Sequence, residues 1–338
     1  MAVADYKIVY LDPTDWNQWD RFVGQTPQGS IFQTSAYINC VKKAFERPAE
    51  IVTVFRRNRL VGGVVLYPQK HFGLPYVGTP FFVPRNGFIL DEFKESFFYY
   101  KRINSRNKVL ELLLKEIESR FVFCALQQSS EEDLRQLMWK NWQFIPDYTV
   151  VVYLQQNKDI FQQMDKDVRR RIRIFEKTGF KFEQLKQLNP VYKLLEESYG
   201  RHGLNPPIAR SHFIEFSQSL LNSNLGKCFA VNQGGEISAF ALVVENFPAV
   251  YGLFSGRNFI KAYSNAELYL QWRIIQEYQA NGYKIFDMLG GMVPSIAKVK
   301  LELGGRLVRR DNVRYFRNRF YEFLFDIEAS RKRKKRSL

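Results

Sequence analysis

Apolar and polar positions run through the chain in an order that occurs twice. The stretch 52-VTVFRRNRLVGGVVLY-67 aligns without gaps to 229-FAVNQGGEISAFALVV-244. Each reads as an apolar strand, a polar turn and a second apolar strand, the pattern of a hairpin. A proline-containing loop and a further strand follow each one, around 75-PYVG-78 and 248-PAVYGLFSG-256. An amphipathic helix and another strand come next: 108-KVLELLLKEIESR-120 with 121-FVFCAL-126, then 264-SNAELYLQWRIIQEYQANG-282 with 283-YKIFDML-289. The match rests on pattern and order rather than identity. It predicts a duplicated domain of mixed α/β (α+β) class, with antiparallel hairpins and helices packed on the sheets.

The boundary is expected near 146-PDYTVVVYLQQ-156, where a strand follows Pro146. This divides the chain into 1–147, 148–325 and a basic tail, 326–338. Further helices are expected at 32–45, 131–140, 166–178, 190–200 and 211–221, and a strand near 306–317. The segment from Phe93 to Asn107 reads as a loop, longer in the first copy than in the second.

One helix carries a second signal. In 165-DKDVRRRIRIFEKTG-179, Asp165 can cap the start and Gly179 can end it in a left-handed conformation. Val168, Ile172 and Phe175 fall at i, i+4 and i+7, so one face is core. Arg169, Arg170, Arg173 and Lys177 crowd the other side. Like charges at that spacing cost a few tenths of a kcal/mol, so local stability does not account for them. Either they form a solvated basic face or they contact phosphates, as an anion- or RNA-binding surface would.

Two stretches hold candidate chemistry. In 285-IFDMLGGMVPSIAKVKLELGG-305 a buried strand ends on Gly290-Gly291, a short helical pattern restarts after Pro294, and Gly304-Gly305 stops it. In 250-VYGLFSGRNFIKAYSNAE-267, Ser264 and Glu267 have capping-box spacing, and Leu268, Trp272 and Ile275 mark the buried face of the helix they open. A helix start offers free N–H groups to a phosphate, and Arg257 and Lys261 stand just upstream. No Walker-type or dinucleotide glycine pattern and no G-x-S-x-G is present.

Composition narrows the classes. Hydrophobic residues are 46% of 338, which excludes global disorder. No apolar run approaches the roughly 20 residues of a membrane span. The start, MAVADYKIVYLDP, lacks the basic-then-apolar order of a secretory signal. Three scattered cysteines and three histidines argue against disulfides and a metal site, and suit a reducing cytoplasm. A net charge of +16, partly from 331-RKRKKRSL-338, favours anionic partners such as RNA, anionic lipid, nucleotide sugars or coenzyme A.

Four stretches give the chain a resemblance. They are 31-IFQTSAYINCVKKAF-45; 147-DYTVVVYL-154 with 168-VRRRIRIFEKTGF-180; 198-SYGRHGL-204; and 282-GYKIFDMLGG-291 with 299-VKLELGG-305. Together the chain resembles the Fem-type aminoacyltransferases and the related CelD-like acyltransferases, which carry two tandem domains of the GCN5-related N-acetyltransferase (GNAT) fold. It departs from them in Val299 and Leu303, where Phe is usual, and in the Met288-Leu289 between Asp287 and the glycines. It also has no room for a helical-hairpin arm. The GNAT coenzyme A loop is not readable in 252-GLFSGRNFIKAYS-264, which leans toward a tRNA-linked donor.

The resemblance implies an N-acyl or aminoacyl transferase with no tightly bound cofactor. Its co-substrate would be aminoacyl-tRNA or acyl-CoA, and its acceptor an amine on an anionic cell-envelope precursor, a peptidoglycan stem or an amino sugar. Lys300 and Asp287 would be catalytic, Lys300 as oxyanion donor. Gly290, Gly291, Arg257, Lys261 and Ser264 would hold the donor; Lys42, Arg201 and Tyr251 would hold the acceptor. No general base is legible. Localisation would be cytoplasmic, with peripheral contact to anionic membrane. The competing reading is a non-catalytic RNA- or membrane-surface-binding protein that keeps the duplicated fold.

Overall fold

Both expected hairpins form, and they share a defect. In the computed structural model, which describes residues 6–80, 82–129, 133–155, 159–201, 203–260 and 265–325, two compact units are resolved. Of the described residues, the first comprises those within 6–146 and 310–325, and the second those within 147–309.

In the first unit β1 (Tyr6–Tyr10), α1 (Trp16–Gln25) and α2 (Ser35–Phe45) precede the hairpin β2 (Glu50–Arg56) and β3 (Arg59–Leu66). Then come β4 (Pro68–His71), β5 (Leu74–Val77), β6 (Ile89–Leu90), α3 (Tyr99–Arg120), β7 (Phe123–Ser129) and α4 (Arg135–Trp139). One sheet runs β1-β2-β3-β6. The strand β8 (Gln143–Tyr153) passes straight through Pro146, so the division between the units falls inside one strand rather than in a linker.

The second unit continues with α5 (Ile160–Gln163), α6 (Lys166–Glu176), β9 (Lys181–Leu185), α7 (Val191–Gly200) and α8 (Arg210–Asn222). The hairpin β10 (Gly226–Gln233) and β11 (Glu236–Asn246) follows, then β12 (Ala249–Arg257), α9 (Ala266–Ala280), β13 (Ile285–Asp287), α10 (Pro294–Glu302) and β14 (Arg306–Phe316). Its sheet runs β8-β13-β12-β11-β10-β9, antiparallel except for the parallel pair β12–β13.

The order β9-β10-β11-β12 repeats the order β1-β2-β3-β6, with each hairpin antiparallel to its outer neighbours. Register shifts between Val54 and Phe55 in one hairpin and between Val231 and Asn232 in the other. These are the same positions of the gapless alignment. A bulge bends its strand and is not required by strand composition, so its recurrence at equivalent positions supports a duplicated framework.

Three readings change. Residues 310–325, assigned above to the second domain, cluster with the first, where Arg310–Phe316 pairs with β7. The expected loop at 93–107 is half helix: α3 starts at Tyr99, not at Lys108. Its packed turns bury Val109, Leu113 and Ile117, and once that part is nucleated each added residue brings a hydrogen bond. The strand expected over 283–289 keeps only Ile285–Asp287, because Leu289 and Gly290 adopt φ of 53° and 50° and turn the chain away. The basic tail 326–338 lies outside the described residues.

In the second unit Val168, Ile172 and Phe175 of α6 share a core with Leu268, Trp272 and Ile275 of α9. Ile172→Ala should therefore cost about 2–5 kcal/mol, the usual range for emptying a buried aliphatic site, whereas Arg170→Gln on the exposed face should cost under about 0.5 kcal/mol. Denaturant titration of both variants checks this, and equal midpoints would contradict the packing.

Candidate functional site

The parallel pairing of β12 with β13 covers only Ala249–Ile285, Val250–Phe286 and Tyr251–Asp287. Beyond it β12 runs on to Arg257, while the other chain turns toward β8, with Met288 N–H donating to Val150 O and Gly291 N–H to Tyr148 O, each at 2.8 Å. The two strands thus part immediately after Tyr251 and Asp287.

Asp287 holds that turn. It is fully buried. Its carboxylate accepts the Thr149 hydroxyl and, at 2.9 Å, the Leu289 N–H. Lys300 closes the turn from the other side: Nζ donates to Met288 O at 2.9 Å, Leu289 O at 2.6 Å and Gly290 O at 3.3 Å. An ammonium has three protons, and these carbonyls match them in number.

The glycines fit tight packing. A Cβ on Gly291 would lie 2.8 Å from Tyr148 O, and one on Gly305 would lie 2.4 Å from Val150 Cγ1. Both therefore allow the chain to lie against β8. Lys298, by contrast, is exposed and sits 3.8 Å from Glu302.

Arginines gather where β12 ends. Arg257 Nε lies 3.4 Å from Glu267. The Arg257 and Arg201 guanidiniums lie 4.5 and 4.8 Å from the centre of the Phe259 ring. Arg171 Nε donates to Asn265 Oδ1, at the head of α9, at 2.8 Å. Burial pulls the Arg257 pKa down; Glu267 opposes that shift, while Arg201 and Arg171 reinforce it. Glu267 pairs with Arg257, while Arg171 also lies 4.0 Å from Asp167. Glu267 is itself pushed up by burial, against the pull of Arg257 and Lys300. Such a surplus of guanidinium, set at a helix start, is suited to phosphate.

The tight fit of α7 against β12 positions this cluster. Ser198 Oγ accepts the Arg257 N–H at 3.0 Å, and a Cβ on Gly256 would meet Leu194 O at 2.8 Å. Arg201 then follows directly at the end of α7.

The structure distributes the expected residues unevenly. Lys300, Asp287, Gly290, Gly291 and Tyr251 meet where the strands part, with Tyr251 buried in the sheet. Arg257 and Arg201, expected in separate subsites, stand together around Phe259. Lys261 and Ser264 lie outside the described residues. Lys42, in the first unit, sits over the Trp16 ring at 5.2 Å. Arg169 donates to Gln162, Arg170 pairs with Asp167 at 2.7 Å, and Arg173 lies 5.2 Å from the Phe161 ring centre. The groove beside them, about 700 Å³, is lined only by residues of α6 and its flanks, so it is a helix face rather than a walled pocket.

Sequence reasoning missed Arg171 and Glu267. The first adjoins the core residue Ile172; the second reads as a capping-box glutamate. The three cysteines are buried, and burial pushes the Cys124 and Cys228 thiols up, away from nucleophilic use. Among the described residues no group of His, Cys, Asp or Glu could hold a metal ion.

Comparison with known proteins agrees with this layout. Residues 162–294 match the family described as Acetyltransferase (GNAT) domain. The structure of FemX superposes with a TM-score of 0.68 at 14% identity, covering 90% of this chain and 96% of that one. The C-terminal domain of a putative lysylphosphatidylglycerol synthetase from Agrobacterium fabrum gives 0.56 at 12%, covering 92% and 96%. A tandem GNAT protein from the clavulanic acid biosynthesis pathway gives 0.54 at 11%, covering 93% and 99%. No curated protein matches the chain in sequence. The chain thus has the tandem GNAT fold of Fem-like proteins, and the domain match together with that fold supports an acyltransferase.

The charge balance around Glu267 is testable. Its raised pKa means that the carboxylate gains its proton at a higher pH than an ordinary glutamate. Protonation removes the negative charge paired with Arg257, so sulfate, whose own charge is constant there, should bind more tightly as pH falls through that range. Calorimetric titration should show this rise in the wild type and a flat profile in Glu267→Gln. A rise that persists in Glu267→Gln would assign the effect elsewhere.

Proposed function

We propose that this protein transfers an aminoacyl or acyl group from a phosphate-bearing activated donor to an amine on a cell-envelope precursor. The observation that carries the reading is the guanidinium cluster Arg171, Arg201 and Arg257 at the head of α9, in the unit where β12 and β13 part beside Lys300. Donor phosphates would rest on the cluster and the reactive carbonyl would reach the parting strands. The segment 257-RNFIKAYSN-265 has no glycine to let backbone N–H groups wrap a pyrophosphate, so side chains would carry that contact. This favours aminoacyl-tRNA over acyl-CoA. The likeness to FemX supports the same choice, while the clavulanic acid pathway relative, described without AcCoA, keeps the thioester as the second donor to assay.

In the reaction the amine nitrogen attacks the donor carbonyl carbon. A C–N bond forms, negative charge develops on the carbonyl oxygen, and collapse breaks the bond to the ribose oxygen or the thiol sulfur. Lys300 would stabilise that charge by exchanging its longest hydrogen bond, the 3.3 Å contact to Gly290 O, for the oxyanion. Gly290 is exposed, so water can take over its carbonyl. Glu267, whose pKa is raised and which feels the Lys300 charge, would take the amine proton. Asp287 would act as a positioning residue, holding the turn that Lys300 caps.

Lys300→Ala should lower turnover by about 10²-fold or more, the scale of a lost oxyanion donor, with a much smaller change in donor KM. Lys298→Ala is the control and should be indistinguishable from wild type. Transfer from charged tRNAs and acyl-CoAs to amine acceptors provides the assay. Wild-type turnover in Lys300→Ala would remove Lys300 from the mechanism.

Glu267 predicts the pH profile. Activity should rise with pH as its carboxylate ionises, and Glu267→Gln should abolish that limb while lowering kcat. An unchanged limb in the variant would place the proton acceptor on substrate or solvent.

A further inference from the structure

We propose that the face built by the start of α3 and by α4, within the first unit, docks the protein on an anionic membrane surface. Neither the donor site nor the proposed reaction uses it, and its α3 part lies in the segment expected to be a loop. Phe97 is 89% exposed, Tyr99 74%, Trp139 62%, Met138 61%, Tyr100 60% and Phe98 51%. Six large apolar side chains on two neighbouring elements exceed the scattered exposure of an ordinary surface and mark an interaction site.

The two elements form one patch. Arg135 of α4 lies 5.7 Å from the Trp139 ring centre, and its charge reaches the Tyr99 hydroxyl of α3. In the same way the Arg106 charge of α3 acts on Asp133, just before α4. The buried part of α3 starts only at Val109, so its first turns stand clear of the core they lead into.

Charge selects the occupant. The same two segments carry Lys101, Arg102, Arg106, Arg135 and Lys140, with Lys101 Nζ 4.9 Å from the Phe98 ring centre. Among the described residues the nearby acids are paired: Asp133 with Arg135 at 2.7 Å, Glu92 with Lys94 at 2.7 Å, and Glu95 with Arg59 at 3.4 Å. Aromatic rings that enter the headgroup layer, ringed by Lys and Arg that meet anionic lipid, are the composition of an interfacial anchor. Single-stranded RNA would need open, parallel ring faces on which bases stack. Here Phe97 and Phe98 pack edge to face at 85°, and Phe98 and Tyr100 are tilted by 39°. No helix among the described residues is long and apolar enough to cross a membrane, so the contact is peripheral.

Trp139 supplies the readout. Of the five tryptophans it is the exposed one, the others being at most 8% exposed. With vesicles of phosphatidylcholine and phosphatidylglycerol, the full chain should co-sediment and its emission should shift to the blue. Phosphatidylcholine alone should give neither effect. Combined Phe97→Ser, Phe98→Ser and Tyr99→Ser should weaken vesicle binding by about tenfold or more at every salt concentration, with an unchanged melting temperature. Lys101→Gln with Lys140→Gln should weaken it several-fold at low salt and converge on wild type at high salt. The proposal is overturned if vesicles produce no blue shift. It is equally overturned if removing 331–338 abolishes binding while the serine variant binds normally, or if the shift follows an RNA oligomer and not vesicles. A wild-type dimer that the serine substitutions dissolve would assign the face to a second copy instead.

Discussion

The site depends on a parallel strand pair that stops. β12 and β13 share only three residue pairs, and the chain leaves the pairing at Asp287 because Leu289 and Gly290 turn left-handed. A left-handed leucine is costly for an L side chain, so other groups must hold it. Asp287 binds the Leu289 N–H from within the core, and Lys300 binds three successive carbonyls from outside. One buried carboxylate and one ammonium thereby help fix a backbone that no longer pairs with β12 and keeps only its hydrogen bonds to β8. Opening the sheet at this point leaves room beside a cation, which is what acyl transfer requires.

Electrostatics at the head of α9 follow from the same opening. β12 continues past the split to Arg257, α7 delivers Arg201, and α6 sends Arg171 to Asn265. Arg201 and Arg171 both act on Arg257 as like charges, which Glu267 offsets from one side. An anionic partner would relieve that repulsion, so the arrangement is better suited to an occupied state than to an empty one.

The two units use one framework differently. Both place a bulged hairpin between the same neighbours, yet the second carries the split strands and the arginine cluster, whereas the first carries an exposed aromatic face on its longer α3. Duplication supplied two sheets, and the additions to each lie in the segments around the shared hairpin.

The sequence by itself determined the local part of this protein. The hairpins, the caps of α6 and the buried faces of α6 and α9 were legible, because apolar periodicity reports how a segment meets its own core. Tertiary structure decided which charges meet. Arg169, Arg170 and Arg173 could be read as a solvated basic face or as a phosphate contact; in the fold they meet Gln162, Asp167 and the Phe161 ring, while Arg171, not singled out in the sequence, reaches Asn265. Lys300 was singled out by the resemblance, yet its three carbonyl partners were not legible, nor was the environment that lifts Glu267. Residues 310–316 looked like the end of the second domain and instead pair with β7. The physical reason is common to all four. The apolar face of a helix or strand is set by residues a few positions apart, which the sequence displays. A side chain's charge partners and a strand's partner are set by contacts between distant segments, which exist only once the chain has folded.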